Sequence, residues 1–143
     1  MTFHAYLFFS NGQCAEAFDR YRDIFGGELQ VMTFADGPEG GEPMPGAEPG
    51  HVMHASLTVG DGLLMGSDDP TGDGGPRLGV AISYTAPDTA TGERVLGELA
   101  EGGEVSMPFE ATFWSPGFGA CTDRFGVPWM VDTEPAPADA TEG

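Results

Sequence analysis

The feature that most constrains the fold of this chain is a repeat of its glycine punctuation. In the first half a Gly-Gly-Glu step at Gly26–Glu28 separates an amphipathic segment from an apolar one, and Gly102–Glu104 does the same in the second half. The segments 62–68 and 126–132 give a further match, each running from a glycine to an aspartate. Glycines fix helix ends and tight turns, so segments that share their positions are expected to fold alike. The chain is therefore predicted to contain two similar units in tandem.

The first half has the pattern of one strand, one helix and three further strands. The apolar residues 3–9 predict a buried strand, and helical spacing predicts a one-faced helix over Cys14–Phe25 that ends at Gly26. Alternating residues predict a strand over 52–59, and Gly60–Gly62 predicts a hairpin turn. The other predicted elements of this half are strands at 29–34 and 63–67 and a loop at 35–50.

The second half repeats this order of elements. A predicted strand at 78–84 is followed by a helix that begins at Pro87–Thr89 and ends at Gly102. Gly92 and Gly97 lie inside this helix, and each lowers its intrinsic stability by about 1 kcal/mol relative to alanine. The remaining predicted strand segments are 105–109, 112–115 with 119–122, and 127–133.

We therefore predict an α+β fold made of two tandem βαβββ units, which cover residues 3–68 and 78–133. Together they form a single domain, 1–133, and the acidic Ala/Pro tail 134–143 is predicted to be disordered. The alternative is a ferredoxin-like βαββαβ unit, which would leave two predicted strands without a place.

Composition restricts the partners. The chain has 143 residues, a net charge of −18 and five basic residues, all arginine. Such a charge repels phosphate backbones and anionic membranes and suits a cationic ligand, so neither nucleic acid nor a membrane is an expected partner. Without a signal-like N-terminus or a long apolar run, we expect a cytoplasmic protein. The two cysteines, Cys14 and Cys121, are expected to be idle thiols.

Several segments carry a family resemblance that spans nearly the whole chain. They are Tyr6-Leu7, Asn11-Gly12, Cys14–Phe18, Phe25–Glu28, His54-Ala55, Leu64-Met65 and the run Thr112–Trp129. The chain resembles the vicinal-oxygen-chelate superfamily of glyoxalase I, bleomycin-resistance proteins and extradiol dioxygenases, in particular its PhnB-like, 3-demethylubiquinone-9 3-methyltransferase-like branch. The resemblance implies a homodimer with curved mixed sheets whose concave faces form small-molecule cavities. No glycine-rich loop of the S-adenosylmethionine-binding type supports the methyltransferase label.

The resemblance also implies four metal ligands, usually His and Glu, on the first and last strands of each unit. The corresponding positions in this chain are at or near His4, Gly66, Gly79 and Met130. Glycine has no side-chain ligand, and methionine is a poor ligand for a hard, oxygen-binding cation. We therefore predict that the standard metal site is absent, and no cofactor is predicted.

Histidines and aromatic residues are the candidates for ligand binding. His4 and Tyr6 share one face of the first predicted strand, and His54 and Ser56 share one face of the third. The predicted pocket residues are His4, Tyr6, His54, Ser56, Trp114, Phe118, Trp129 and Met130. An alternative is a two-histidine metal site of His4 and His54, completed by Asp68 or by a carboxylate of a partner chain. His51 is interpreted as a surface residue.

Three functions are compatible with this pattern, and whether the chain is an enzyme stays open. The favoured one is metal-free binding of a small organic ligand in an aromatic-lined cavity. The second is a metal-dependent lyase, isomerase or dioxygenase that uses His4 and His54, and the third is a structural or regulatory dimer with a vestigial pocket. Asp123 is interpreted as half of a surface ion pair with Arg124, or alternatively as a brace of its turn through backbone N–H groups.

Overall fold

The fold is described from a computed structural model, in which residues 3–36, 48–70 and 77–135 are described. The chain divides into two compact units, Met1–Gly75 and Pro76–Gly143. Most of the predicted loop 35–50 and most of the predicted tail 134–143 lie outside the described residues. Within the described part of the chain, no helix has the length and apolar character needed to cross a lipid bilayer.

The first unit is a mixed four-stranded sheet with one helix. Its elements are β1 (Ala5–Phe9), α1 (Cys14–Phe25), β2 (Glu28–Thr33), a short 3-10 turn (Phe34–Asp36), β3 (Val52–Val59) and β4 (Gly62–Asp68). The strand order is β1-β4-β3-β2, in which β1 and β4 are parallel and the other neighbours are antiparallel. Two parallel strands cannot be joined by a tight turn and need a crossover connection. In the first unit, α1 lies in the connection that leads from β1 to the other strands.

The helix α1 packs closely on this sheet. Phe18 in α1 meets Phe9 of β1 edge to face, with ring centroids 6.1 Å apart, and both side chains are buried. Gly66 of β4 makes this approach possible, because a Cβ atom at that position would lie 2.7 Å from the Phe18 ring. The core of the unit therefore lies between α1 and one face of the sheet, as the apolar spacing of Cys14–Phe25 predicts.

A buried aspartate joins three elements of the first unit. Gln13, at the N-cap position of α1, makes no side-chain cap. Instead Asp68, at the end of β4, accepts hydrogen bonds from the N–H of Cys14 at 2.9 Å and from the N–H of Val52 at 2.8 Å. The carboxylate thus satisfies a free amide at the helix N-terminus, where negative charge is favourable, and fixes the start of β3 to the end of β4.

The second unit has the same arrangement. Its elements are β5 (Ile82–Ala86), α2 (Thr89–Ala100), β6 (Glu104–Glu110), β7 (Phe118–Thr122) and β8 (Pro128–Thr133). The order is β5-β8-β7-β6, with β5 and β8 parallel, so each strand has the place of its counterpart in the first unit. The predicted α+β fold of two tandem βαβββ units is confirmed, and the ferredoxin-like alternative, which has fewer strands, is wrong.

Two strand predictions in the second half are wrong. The first strand of this unit begins at Ile82 rather than at residue 78, because Gly79 has a left-handed φ of +80° that interrupts an extended chain. Leu78 and Val80 suggested a strand, yet they are 82% and 66% exposed. Residues 112–115 form a turn rather than a strand, closed by a 2.9 Å hydrogen bond from the N–H of Thr112 to the carbonyl of Ser115.

Asp123 is buried, so its interpretation as half of a surface ion pair is wrong. One carboxylate oxygen accepts hydrogen bonds from the N–H groups of Phe125 and Val127, each at 2.9 Å. The other oxygen accepts a hydrogen bond from the indole N–H of Trp129, also at 2.9 Å. The alternative interpretation is therefore confirmed: Asp123 braces the β7–β8 turn through backbone N–H groups, and it also fixes a core tryptophan.

The two glycines of α2 are expected to respond oppositely to alanine. A Cβ at Gly92 would lie 2.7 Å from the Phe109 ring, whereas no atom lies within 4 Å of a Cβ at Gly97. We expect Gly97→Ala to raise the free energy of unfolding by up to about 1 kcal/mol through helix propensity. We expect Gly92→Ala to lower it by about 1–3 kcal/mol through overpacking. Urea unfolding measures both, and a gain in stability at Gly92 would contradict the packing described.

Removal of the Asp123 carboxylate is expected to be strongly destabilising. Asp123→Ala leaves three N–H donors without an acceptor, and at about 1–3 kcal/mol for each buried donor we expect a loss of at least about 3 kcal/mol. Asp88→Ala is the matched control, because Asp88 is an exposed N-cap whose carboxylate accepts hydrogen bonds from Thr91 of α2. Equal losses for the two variants in urea unfolding would show that burial of Asp123 contributes nothing.

Candidate functional site

The sheet of the first unit has one face against α1 and one face that points away from it. Side chains alternate along β1, so Leu7 and Phe9 are buried on the helix side while Tyr6 and Phe8 lie on the opposite side. We call this opposite side the open face of the first unit. Across the four strands, one row of paired residues on it is Tyr6, Met65, Ser56 and Gln30. A neighbouring row contains the pairs Phe8–Ser67 and His54–Met32.

Tyr6 and His54 form the polar centre of this face. The hydroxyl of Tyr6 lies 3.2 Å from Nδ1 of His54, a hydrogen-bond distance, and the two ring centroids are 5.7 Å apart. Phe8 continues the aromatic surface, with its ring centroid 5.1 Å from that of Tyr6. Tyr6 is 38% exposed and Phe8 is 59% exposed. The face therefore offers stacking surface next to a hydrogen-bonded pair, on strands fixed by Asp68.

Three of the residues predicted for ligand binding are thus brought together: Tyr6, His54 and Ser56 share the open face of the first unit. His4 precedes β1 and is exposed. Asp68, the suggested third metal ligand, is buried and uses both carboxylate oxygens for main-chain N–H groups. It therefore acts as a structural acceptor and not as a ligand of the open face.

The sequence suggested that His51 is a surface residue, but its side chain is largely covered. Its side chain is only 24% exposed and its Nε2 lies 3.5 Å from a carboxylate oxygen of Glu48. The ring packs against Gly12, where an added Cβ would lie 3.0 Å from Nε2. His51 therefore helps to hold the turn that precedes α1. The contacts described for its side chain are with Glu48 and Gly12, and not with Tyr6 or His54.

The second unit has an open face built in the same way, on the side of its sheet opposite α2. One row of paired residues on it is Ser83, Met130, Ala120 and Met107, and the next row is Thr85, Asp132, Phe118 and Glu110. Trp114, from the turn before β7, meets Phe118 edge to face at 5.6 Å between ring centroids. Of the predicted residues, Trp114, Phe118 and Met130 therefore belong to this face.

Trp129 does not line an open face. It is 2% exposed and its indole N–H is held by Asp123. Trp129 and Met130 are neighbours on β8, so their side chains point to opposite sides of the sheet, and only Met130 faces away from α2. The prediction that both residues line a pocket overlooked this alternation.

The predicted pocket residues did not include Phe8, Met65 or Asp132, which also lie on the open faces. Among the residues that the structure describes, one carboxylate oxygen of Asp132 is buried and has no hydrogen-bond partner, although buried polar atoms are nearly always paired. Its position two residues after Met130 on β8 places it on the same face, and that spacing was the available signal. As a landmark of the repeat it was matched with Asp68, whereas the strand pairing places it at the position of Ser67.

The residues at the metal positions implied by the resemblance do not form the expected ligand set. The residue that pairs with Met130 is Ser83 and not Gly79, which lies outside β5; in the first unit the equivalent pair is Tyr6 with Met65. Within 3–36, 48–70 and 77–135, no three His, Cys, Asp or Glu side chains form a group that could hold a metal ion. A hydroxyl and thioether set does not suit a hard divalent cation. That the standard metal site is absent stays a prediction.

Neither cysteine is suited to be a nucleophile. Burial, with a smaller contribution from the nearby Asp68, raises the pKa of Cys14 from 9.0 to about 12. Burial, with a smaller contribution from Asp123, raises the pKa of Cys121 from 9.0 to about 11. The thiolate is the reactive form, so both thiols stay protonated and unreactive at neutral pH.

The fold and its two open faces define a class of protein. The family model of the Glyoxalase/Bleomycin resistance protein/Dioxygenase superfamily matches residues 5–131, and the chain belongs to this family. Among solved structures it is similar to protein PA1353 from Pseudomonas aeruginosa, with 43% identity, coverage of 94% of this chain and 98% of that chain, and a TM-score of 0.81.

Two further relatives extend the comparison. Protein YjdN of Escherichia coli K12 is 29% identical over 140 residues, which cover 92% of this chain and 95% of that protein. A putative 3-demethylubiquinone-9 3-methyltransferase, PhnB protein, from Bacillus cereus shares the fold with a TM-score of 0.73 at 23% identity, over 93% of this chain and 99% of that chain. The predicted resemblance to this superfamily is confirmed, and the chain shares its fold with the PhnB protein.

The raised pKa values of the thiols predict a loss of stability at alkaline pH. Between the unfolded pKa of 9.0 and the folded values, the folded state binds more protons than the unfolded state. The contribution of the thiols to stability is therefore complete below pH ~9 and is lost as pH rises toward the folded values. We expect urea unfolding of Cys14→Ala to show a shallower decline between pH ~9 and ~11 than that of the unchanged protein.

A chemical control accompanies this pH series. Both thiols are expected to resist a thiol-specific reagent in the native protein at neutral pH and to react fully in denaturant. Rapid labelling of Cys14 or Cys121 in the native state would contradict the assignment of both as buried, protonated thiols.

Proposed function

We propose that this member of the superfamily binds a small organic molecule on the aromatic open face of its first unit, without a divalent metal as a necessary part of the site. The observation that carries the proposal is the Tyr6–His54 hydrogen bond beside the exposed Phe8 ring. Whether binding is followed by a reaction stays open, because no catalytic residue is assigned.

Exposed aromatic side chains on a sheet are the first support for this proposal. Large apolar residues left open to water on neighbouring positions are typical of interaction sites. Small-molecule sites combine such a surface with a few polar groups that fix the orientation of the ligand. Tyr6, Phe8 and Met65 supply the apolar surface, and His54 and Ser56 supply the polar groups of the same face.

The range of proteins in the superfamily is the second support for the proposal. The description of the superfamily includes a resistance protein beside glyoxalase and dioxygenase enzymes. Sequestration of a ligand requires affinity only, and a face with stacking surface and hydrogen-bonding groups can supply it without acid–base groups of special pKa. As the resemblance implies, we also propose that the protein acts as a homodimer, and we place it in the cytoplasm.

The test is a thermal-shift screen of small aromatic and heteroaromatic compounds, followed by titration of the hits. A ligand present at a hundredfold excess over its Kd is expected to stabilise the fold by about 2.7 kcal/mol. We expect Tyr6→Phe, which removes only the hydroxyl, and Phe8→Ala to weaken binding by about tenfold each, as loss of one hydrogen bond or one stacking surface predicts. Leu78→Ala is the matched control, because Leu78 is an exposed apolar residue outside both open faces.

Two results would overturn the proposal. Loss of binding after chelation, restored by a divalent metal and abolished in His4→Ala or His54→Ala, would favour the metal-dependent enzyme. No stabilisation by any compound would favour a structural or regulatory dimer with a vestigial pocket. Sedimentation of the same preparation measures the oligomeric state, and a monomer at assay concentration would exclude the homodimer.

A further inference from the structure

The open face of the second unit contains a carboxylate whose charge the described residues do not balance. One oxygen of Asp132 is buried and accepts no hydrogen bond from residues 3–36, 48–70 and 77–135. The chain has no lysine, and its net charge is −18. The arginines of this unit contact other groups: Arg77 binds the carbonyl of Phe125, Arg94 binds Glu98, and Arg124 lies over the Phe125 ring. A partner cation for Asp132 is therefore missing from the contacts described for this unit.

Aromatic rings lie next to this carboxylate. Asp132 on β8 is the direct cross-strand partner of Phe118 on β7, so the two side chains are neighbours on one face. The Phe118 ring meets the Trp114 ring at 5.6 Å between centroids, and Trp114 is 55% exposed. On the other side of Phe118, Glu110 of β6 is its cross-strand partner and is exposed. Phe118, which contacts Trp114, thus lies between two carboxylates.

This combination of groups fits one class of ligand. An organic ammonium ion is attracted by the electron-rich face of an indole or phenyl ring and by a carboxylate at the same time. A neutral molecule would leave the Asp132 carboxylate without a counter-charge, and an anion would be repelled by Asp132 and Glu110. The acidic surface of the whole chain also raises the local concentration of cations.

The first unit differs at the same positions of its sheet. Ser67 is the partner of Phe8 as Asp132 is the partner of Thr85, so the place of the carboxylate is taken by a neutral hydroxyl. The two open faces therefore differ in charge although their strands pair in the same order. Discrimination by charge is expected on the second face alone.

We infer that the open face of the second unit binds an organic ammonium ion, with Asp132 as the counter-charge and Trp114 and Phe118 as the aromatic surface. The inference rests on the proposed small-molecule binding function and names a ligand class and a face for it. Nothing in it requires Tyr6 or His54, so the two sites can be tested separately.

The experiment compares two probes of nearly equal shape, choline and its uncharged analogue 3,3-dimethylbutan-1-ol, by isothermal titration at constant ionic strength. We expect choline to bind at least about tenfold more tightly than the uncharged alcohol, because only the cation gains from the carboxylate and the rings. Asp132→Asn keeps the shape of the side chain and removes its charge, so we expect it to abolish that preference. Trp114→Ala is expected to weaken choline binding about tenfold.

Asp61→Asn is the matched charge control. Asp61 lies in the exposed β3–β4 turn of the first unit, and its replacement changes the net charge by the same amount. We expect choline affinity to change less than about twofold in this variant, because a general acidic field is nearly unchanged. Equal losses in Asp132→Asn and Asp61→Asn would show accumulation of counter-ions only and would overturn the inference.

The stability of Asp132→Asn supplies an independent readout. A buried charged oxygen without a hydrogen bond is unfavourable, so its neutralisation is expected to leave the unfolding midpoint unchanged or higher. A lower midpoint would mean that Asp132 has a structural partner, and the inference would fail. Binding of neither probe would also overturn it. Tight binding of both probes with no effect of Asp132→Asn would refute the charge selectivity and leave the proposed function standing.

Discussion

Each unit of this protein depends on one buried aspartate that accepts hydrogen bonds from main-chain amides. Asp68 binds the first amide of α1 and the first amide of β3, and Asp123 binds two amides of the β7–β8 turn and the indole of Trp129. Burial of a carboxylate is costly unless its oxygens are paired, and the oxygens of these two are. They fix where the strands begin and end, and hence which side chains reach each face.

Because the strands are fixed, each sheet has one side that packs against its helix and one side that carries polar and aromatic residues. The helix side is filled by apolar residues that approach closely at glycines such as Gly66 and Gly119. The other side keeps residues that a core would exclude: exposed Tyr6 and Phe8 in the first unit and, in the second, Asp132, one oxygen of which has no partner in the described part of the chain. The side away from the helix can retain such groups because the buried apolar side chains that stabilise each unit lie on the helix side.

The sequence predicted the order of elements well because glycine pairs and apolar periodicity are local signals. It failed where a backbone angle or a side-chain contact, rather than residue composition, decides the structure. Leu78 and Val80 have the composition of a strand, and only the backbone at Gly79 shows that the strand begins later. The burial of Asp123 depends on an indole six residues away. The error at Trp129, in contrast, was avoidable, since adjacent strand residues cannot share a face.

Because the strands of the two sheets pair in matching register, each paired position of β1 and β4 has a counterpart in β5 and β8 that can be used in engineering. Tyr6 with Met65 occupies the same place in its sheet as Ser83 with Met130, and Phe8 with Ser67 the same place as Thr85 with Asp132. A side chain can therefore be grafted from one unit onto its counterpart while the hydrogen-bonded ladder beneath stays the same. The repeat thus provides two copies of one scaffold whose surfaces can be exchanged residue by residue, each copy serving as the template for the other.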